Sequence, residues 1–305
     1  MIKLLLRNKS FMIGFLFLGG LLLASIANTV FNEGKIKQVQ VIYNNGQVVE
    51  KAPFPPSMQF PLGTDMNGYD LLHIIIEGAK YTIGISLTVA LLQIIMGGLI
   101  GLLVSGYFPK VFNRLENFLD SFSVLPITLV AYFILVNVLT MPIDGFQQPF
   151  YVRALFEMVI LICLPLPTII LYLGKEVTNL LSIEFVRASQ TLGASTSRIL
   201  FKHIFRHLRQ RVIILFIQQF NQVLIVLAHL GLLKMFFAGT VIDYSPIQEP
   251  PKTLSFEWSG LIGDYIGLLY VHPMIVMVPI LFFALTIISA NLILKGIERV
   301  NEVNS

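Results

Sequence analysis

Five histidines (His73, His203, His207, His229, His272) and one cysteine, Cys163, are the softest metal ligands in this chain of 305 residues. His203 and His207 are four apart, so a helix would turn both to one face, where they could share a metal ion. Lys202, Arg206 and Arg209 surround them, which makes a basic face the expected role and a metal site not expected. Cys163 lies in an apolar run. With one cysteine, neither an internal disulfide nor a cysteine-built zinc site is open to the chain. Gly174-Lys175-Glu176 lacks the upstream glycine and the hydroxyl residue of a phosphate loop, so no ATP hydrolysis is expected here by that route. No Glu-x-x-x-Asp or H-E-x-x-H pattern falls in an apolar run. Glu157 and Lys234 are the charges nearest such runs, and both are placed close to an edge. A carrier driven by an ion gradient usually holds a carboxylate deeper. What remains is polar but mostly uncharged: Gln218, Gln219, Asn221, Gln222 and His229 on one apolar stretch. Gln218, Gln222 and His229 fall within about 40° on a helical wheel, over ~16 Å of helix. Polar groups in hydrocarbon are costly unless paired or wet. Gln218, Asn221, Gln222 and His229 are therefore expected to line a path for a peptide-like solute, rather than to bond neighbouring helices.

Composition says what must position these residues. Hydrophobic residues make up 55% of the chain and charged ones 12%, with a mean hydropathy of +0.79. Soluble domains carry about twice that charge. A disordered chain, a nucleic-acid binder and an ordinary soluble enzyme are excluded, and the bilayer becomes the expected surroundings. An apolar helix of about 20 residues crosses a hydrocarbon core of roughly 30 Å. Six stretches qualify: Phe11–Val30, Thr82–Phe108, Ser123–Thr140, Leu155–Leu173, Val212–Phe237 and Pro273–Leu294. Pro165 and Pro167 should kink the fourth. Gly97 and Gly101, spaced G-x-x-x-G beside Gly98 in the second, are expected to serve bundle packing.

The net charge of +4 reads as topology. Fourteen of the 21 lysines and arginines fall in the N-terminus, the second and fourth connections and the C-terminus; six fall in the opposite set. The remaining one, Lys234, lies late in the fifth span. Both termini and the basic loop at about 175–211 are thus expected in the cytoplasm. The basic start and Ser25-Ile26-Ala27 also have signal-peptide features. The length of the run and the even span count favour a retained helix. The expected organisation is residues 1–30 for the N-terminal segment and first span, 31–81 for an extracytoplasmic segment, and 82–300 for a five-helix core. Within 31–81, Val39–Tyr43 and Gln47–Val49 flank Asn44-Asn45-Gly46 as a small hairpin. No internal repeat or low-complexity tract occurs.

The fourth connection is rich in helix formers. Glu184–Ser195 reads as a short helix, with Phe185, Ala188 and Leu192 on one face, followed by a turn at Gly193. A second, basic helix runs from Thr196 to about Leu208. An apolar knob displayed between two spans suits docking to another protein; seven basic residues suit the anionic inner leaflet equally.

This segment resembles the coupling loop of ABC importer permeases, E-A-A, three residues, then G, here Arg187-Ala188-Ser189, Gln190-Thr191-Leu192, Gly193. The chain as a whole, over about residues 1–300, resembles the second-type permease subunits of oligopeptide, dipeptide and nickel importers. Pro61-Leu62-Gly63-Thr64-Asp65-Met66-Asn67-Gly68-Tyr69-Asp70 is similar to their outer P-L-G-T-D-x-x-G-R-D motif, followed by Gly78-Ala79-Lys80 for G-A-R. Glu257-Trp258-Ser259-Gly260-Leu261-Ile262 and His272-Pro273 resemble a late E-W-G segment before the last span. The resemblance implies an all-α, six-span, type I ABC importer permease fold in a bacterial cell membrane, with no catalytic residue, metal or cofactor of its own. It implies a homo- or heterodimeric permease core, with a heterodimer with a second permease favoured, two cytoplasmic ATPase subunits that use the ATP, and an extracytoplasmic protein that delivers peptides or nickel and other metal complexes. Glu184, Phe185, Arg187, Ala188, Ser189, Leu192 and Gly193 would form the coupling helix; Gly63, Thr64, Asp65, Gly68 and Asp70 the outer motif. Departures are Arg187 and Ser189 for the glutamate and second alanine, Arg206 for a proline, and Tyr69 for an arginine. Lys234–Gly239 replaces S-F-L-G-L-G. The alternative from another class is a non-transporting membrane scaffold or sensor derived from such a permease.

Overall fold

A computed structural model of the chain describes residues 2–44, 47–246 and 250–304, without the side chains at 2, 3, 44, 49, 185, 190 and 301–304. Its elements run α1 (Ile2–Arg7), α2 (Lys9–Asn32), β1 (Val41–Asn44), β2 (Gln47–Lys51), α3 (Leu71–Tyr107), α4 (Pro109–Ser121) and α5 (Ile127–Leu139). They continue with α6 (Phe150–Cys163), α7 (Leu166–Leu181), α8 (Glu184–Thr191), α9 (Thr196–Arg198), α10 (Phe205–Leu232), β3 (Thr240–Val241), β4 (Lys252–Thr253), α11 (Trp258–Tyr265) and α12 (Pro273–Asn304). Among the described residues, five helical stretches are long and apolar enough to cross a membrane: Lys9–Asn32, Leu71–Tyr107, Phe150–Leu181, Thr196–Leu232 and Pro273–Val300. The protein is therefore a multi-pass, mainly helical membrane protein.

The third expected span is where the sequence reading needs correction. Instead of one helix over Ser123–Thr140, Pro109–Val124 and Ile127–Leu139 form a pair bent by 77°. The cause is Pro126. It has no N–H to donate, and its ring pushes Leu125 into an extended conformation (φ −72°, ψ 129°). The 13 residues of α5 rise only about 20 Å, too short for the hydrocarbon core by themselves. The expected break in the fourth span is present at Leu164-Pro165, between α6 and α7. The fifth span is corrected at both ends. Its basic start is not a separate helix: α9 passes through a π-helical turn, Ile199–Ile204, straight into α10. Its end is Leu232, not Phe237. Lys234 takes the left-handed position (φ 60°), and the Met235 N–H donates to the Leu230 carbonyl at 2.8 Å, closing the helix. Lys234 consequently lies outside the span, with its ammonium donating to the Gly263 carbonyl.

The chain folds into two compact units. The first comprises the segment up to Ser86, Leu135–Glu157 and the segment from Leu224 onward. Here α2 lies along α12. The approach is close: a methyl on Gly14 would stand 2.3 Å from the Ser289 carbonyl oxygen. Trp258, fully buried, ties α11 to α3 through its N–H to Thr82 Oγ1 and its indole N–H to the Ile75 carbonyl, both at 2.9 Å. The expected hairpin forms as β1 antiparallel to β2, with Val41 opposite Lys51 and Asn44 opposite Gln47. Its Asn45-Gly46 turn lies outside the described residues.

The second unit comprises Leu87–Ile134 and Met158–Val223. Its core gathers Ile94 and Leu102 of α3, Leu173 and Val177 of α7, and Leu200, Ile204 and Leu208 at the start of the fifth span. Gly97 and Gly101 face α7, as bundle packing requires. A methyl on Gly97 would meet Ile169 Cγ2 at 2.5 Å, and one on Gly101 the Ile170 carbonyl oxygen at 3.0 Å.

Candidate functional site

The connection between α7 and the fifth span builds a rigid, two-faced element. Helix α8 is amphipathic, and among its described side chains the buried anchor is Val186, 1% exposed, which joins the core with Val177, Ile199 and Leu200. Glu184, Arg187 and Ala188 are exposed, Ser189 is half-buried, and Leu192 is 89% exposed. The side chain of Phe185 is outside the described residues. The helix ends as expected. Gly193 is left-handed (φ 84°), and the Ala194 N–H donates to the Ser189 carbonyl at 3.0 Å. Val186 escaped the sequence reading because the face chosen was Phe185, Ala188 and Leu192. Those positions and Val186 lie on different sides of a 3.6-residue helix. The next turn begins at Ser195, whose hydroxyl accepts the Arg198 N–H at 3.4 Å. From there Lys202, Arg206, Arg209 and Arg211 stay exposed, while Leu200, Ile204 and Leu208 are buried. His203 and His207 belong to no ligand group: no cluster of three metal-binding side chains occurs among the described residues.

In the same unit, a cavity of about 290 Å³ is lined by Gln218, Gln219 and Gln222 of α10, by Phe122, Ser123 and Ile127 beside the Pro126 break, and by Pro165 and Thr168 beside the Pro165 break. None of these lining residues is ionisable. Gln218 and Gln222 stand one turn apart and are open to the cavity side. Gln219 Oε1 is buried without a hydrogen-bond partner among the described residues. A buried amide oxygen without a partner costs about 1–3 kcal/mol, which makes it an acceptor ready for a guest donor. Asn221 and His229, expected on the same path, do not line this cavity. Gln219, which the sequence counted in the cluster but not in the path, does.

The Pro61–Asp70 motif, in the first unit, is a turn that seats the start of α3. Gly63 and Gly68 are both left-handed (φ 80° and 77°). The buried Thr64 hydroxyl accepts the Phe54 N–H at 2.8 Å. Asp65 Oδ1 accepts the N–H groups of Asn67 and Tyr69 at 2.9 and 2.8 Å, and Oδ2 accepts the Tyr265 hydroxyl at 3.2 Å. Asp70 Oδ1 accepts the Leu72 N–H at 3.0 Å, capping α3. Tyr69, the replacement for an arginine, sets its ring edge against Phe256, with centroids 5.9 Å apart. Burial pushes the Asp65 carboxyl above the usual range, against the pull of its N–H and Tyr265 bonds.

Lys234–Gly239 is held by buried carboxylates that the sequence reading placed at an edge or left out of the site. The Ala238 N–H donates to Glu157 Oε2 at 2.9 Å and the Phe237 N–H to Glu257 Oε1 at 2.9 Å. Glu157, in α6, is fully buried within the protein. Its task is to hold a loop amide. Glu257 also accepts from Thr253 Oγ1 at 2.6 Å and from the Ser255 hydroxyl. Burial pushes its carboxyl up, and those bonds oppose the shift.

Comparison with known proteins agrees with this architecture. Residues 93–301 match the model of the family described as binding-protein-dependent transport system inner membrane component. The chain is similar to the peptide transport system permease protein SapC of Escherichia coli O6:H1, with 26% identity over 251 residues, 80% of this chain and 76% of that protein. It is also similar to SapC of Haemophilus influenzae, with 26% identity over 271 residues, 85% of this chain and 82% of that protein. SapC of Salmonella typhimurium matches at 26% over 251 residues, 80% of this chain and 76% of that protein. A match over two thirds of the chain, on helices that span a membrane and flank a two-faced connecting helix, settles the assignment: this chain belongs to the inner membrane components of binding-protein-dependent transport systems, the permeases of ABC importers.

Proposed function

We propose that the chain is one of two permease subunits of an ATP-driven importer for peptides. The observation that carries this reading is the division of labour on α8 and the residue after it: Val186 fixes the helix to the core of its own unit, while Arg187, Ala188 and Leu192 are exposed. A helix displayed in this way suits a groove on a separate ATPase subunit, whose closure would move α7 and the fifth span through the Val186 seat. The peptide cargo rests on the named function of the SapC relatives and on the uncharged amide lining. Amides and hydroxyls bond peptide backbones irrespective of side chain. Charge distribution supports a cytoplasmic 175–211 connection and cytoplasmic ends, with residues 31–81 on the side where a binding protein delivers cargo. Residues 1–30, 31–81 and 82–300 then serve as anchor helix, external segment and transport core.

The test is purification of the full chain from its native membrane. A nucleotide-binding subunit should co-purify, and its ATPase should rise when an external binding protein and peptide are added to the reconstituted complex. A chain that brings down no such subunit, or whose complex hydrolyses ATP without regard to peptide, is the non-transporting scaffold instead.

A further inference from the structure

The first unit carries a further cavity at the end where α1, α2 and α12 meet. It measures about 240 Å³ and is lined by Leu4 and Arg7 of α1, Asn8 at the start of α2, and Arg299 and Val300 near the end of α12. Three elements converge there, because α1 packs on both α2 and α12. The long helices touch closely one turn deeper, where a methyl on Gly296 would stand 2.7 Å from Phe11 Cβ. Beyond that contact they part, and the gap is the cavity.

Its chemistry is specific. Two exposed arginines, Arg7 and Arg299, line one cavity. Among the described residues no carboxylate lies within 4.0 Å of either. Residues 1–32 contain no Asp or Glu at all. Two arginines at one cavity, with Glu298 and Glu302 the carboxylates nearest Arg299 in sequence and none within 4.0 Å among the described residues, suit an anion, and a guanidinium matches the fork of phosphate oxygens. The walls, Leu4 and the buried Val300, are apolar. The level is set by the spans. The cavity lies where Lys9–Asn32 begins and Pro273–Val300 ends, the depth at which hydrocarbon gives way to headgroups. A phosphate ester joined to an acyl glycerol satisfies all three features, whereas free phosphate satisfies only the first.

We propose that Arg7 and Arg299 bind the phosphate of an anionic phospholipid, which clasps α1, α2 and α12 together at the membrane surface. The choice of the cytoplasmic leaflet rests on the topology proposed above; the site itself does not. Basic pockets between spans are a known means of holding acidic headgroups.

The experiment is native mass spectrometry of the full chain, released from nanodiscs containing phosphatidylglycerol and phosphatidylcholine in equal amounts. The parent should retain phosphatidylglycerol selectively. R7Q with R299Q should lower that retention by roughly 30-fold. K9Q with K295Q removes the same charge at the same level but does not line the cavity, and should leave retention nearly unchanged. Melting temperatures of both double variants identify any loss of fold, and R7K with R299K should restore part of the binding if the fold is sound. Equal retention of the two lipids, or equal loss in both double variants, overturns the proposal in favour of a general surface potential. Inorganic phosphate that raises the melting temperature of lipid-free parent, with no lipid selectivity, overturns the lipid and leaves a free-anion site. Failure of ATPase co-purification would refute the transport reading without touching this result.

Discussion

The Tyr265 hydroxyl donates to Asp65 Oδ2 at 3.2 Å, although 200 residues separate them. The bond joins the Pro61–Asp70 turn to α11 and closes the polar side of a cavity shared with Lys252 and Asp264. Tyr265→Phe should destabilise the protein by about 1 kcal/mol, the net worth of one such bond. Asp65→Ala should cost more, because it also strands the Asn67 and Tyr69 amides. Thermal unfolding of the detergent-solubilised chain checks both; equal effects would show that the turn does not depend on Asp65.

Asp264 predicts a pH dependence. Burial pushes its carboxyl up to about 7, with Lys234 and Lys252 pulling the other way. In the unfolded chain it titrates near 3.8. Between these values the folded chain holds a proton that the unfolded chain has released. Its contribution is therefore whole below the lower value and is lost as pH rises through the upper one. Asp264→Asn should melt at the same temperature as the parent at pH 4 and roughly 2–4 °C higher at pH 8. A variant less stable at pH 8 would contradict the assignment.

Val186 and Leu192 should separate stability from coupling. Val186→Ala removes a buried anchor and should cost about 2 kcal/mol of stability. Leu192→Glu alters only an exposed position and should leave melting unchanged. In the reconstituted complex the same change should abolish peptide stimulation of the ATPase. Normal stimulation in Leu192→Glu would place the docking surface elsewhere.

Adjacent glycines of α3 offer a control built into one turn. Gly97→Ala puts a methyl 2.5 Å from Ile169 Cγ2, and should destabilise by about 1–3 kcal/mol. Gly98→Ala meets only Leu173 Cδ1 at 3.4 Å, an ordinary contact, and should be neutral or slightly stabilising through helix propensity. Matching melting temperatures in the two variants would refute the close approach of α3 and α7.

The amide cavity gives the transport prediction. Gln218→Leu and Gln222→Leu should lower peptide uptake about tenfold each, one hydrogen-bonding site to a guest lost per change, with assembly intact. His229→Leu, outside the cavity, should leave uptake unchanged. Uptake measured in proteoliposomes decides: full activity in both glutamine variants removes the cavity from the path.

Sequence alone determined the solvent and the order of the motifs. Those features depend on hydropathy and short-range spacing, which each segment carries by itself. Pro165 announced its break in the same way, and Gly193 its left-handed turn. Pro126 breaks its apolar run in the folded chain, where a missing N–H cannot be averaged away. Long-range partners were not legible at all. Glu157 shows in the sequence only as a charge near the end of an apolar run; its partner, the Ala238 N–H, is 81 residues away. Val186 looked like one apolar residue among several until Ile199 and Leu200 closed over it. Gln219 joined the cavity in place of Asn221 and His229 because a lining is set by where neighbouring helices break and part, and a helical wheel sees only one helix. A polar group in a membrane needs a partner or water, and only the tertiary structure decides which of the two it receives.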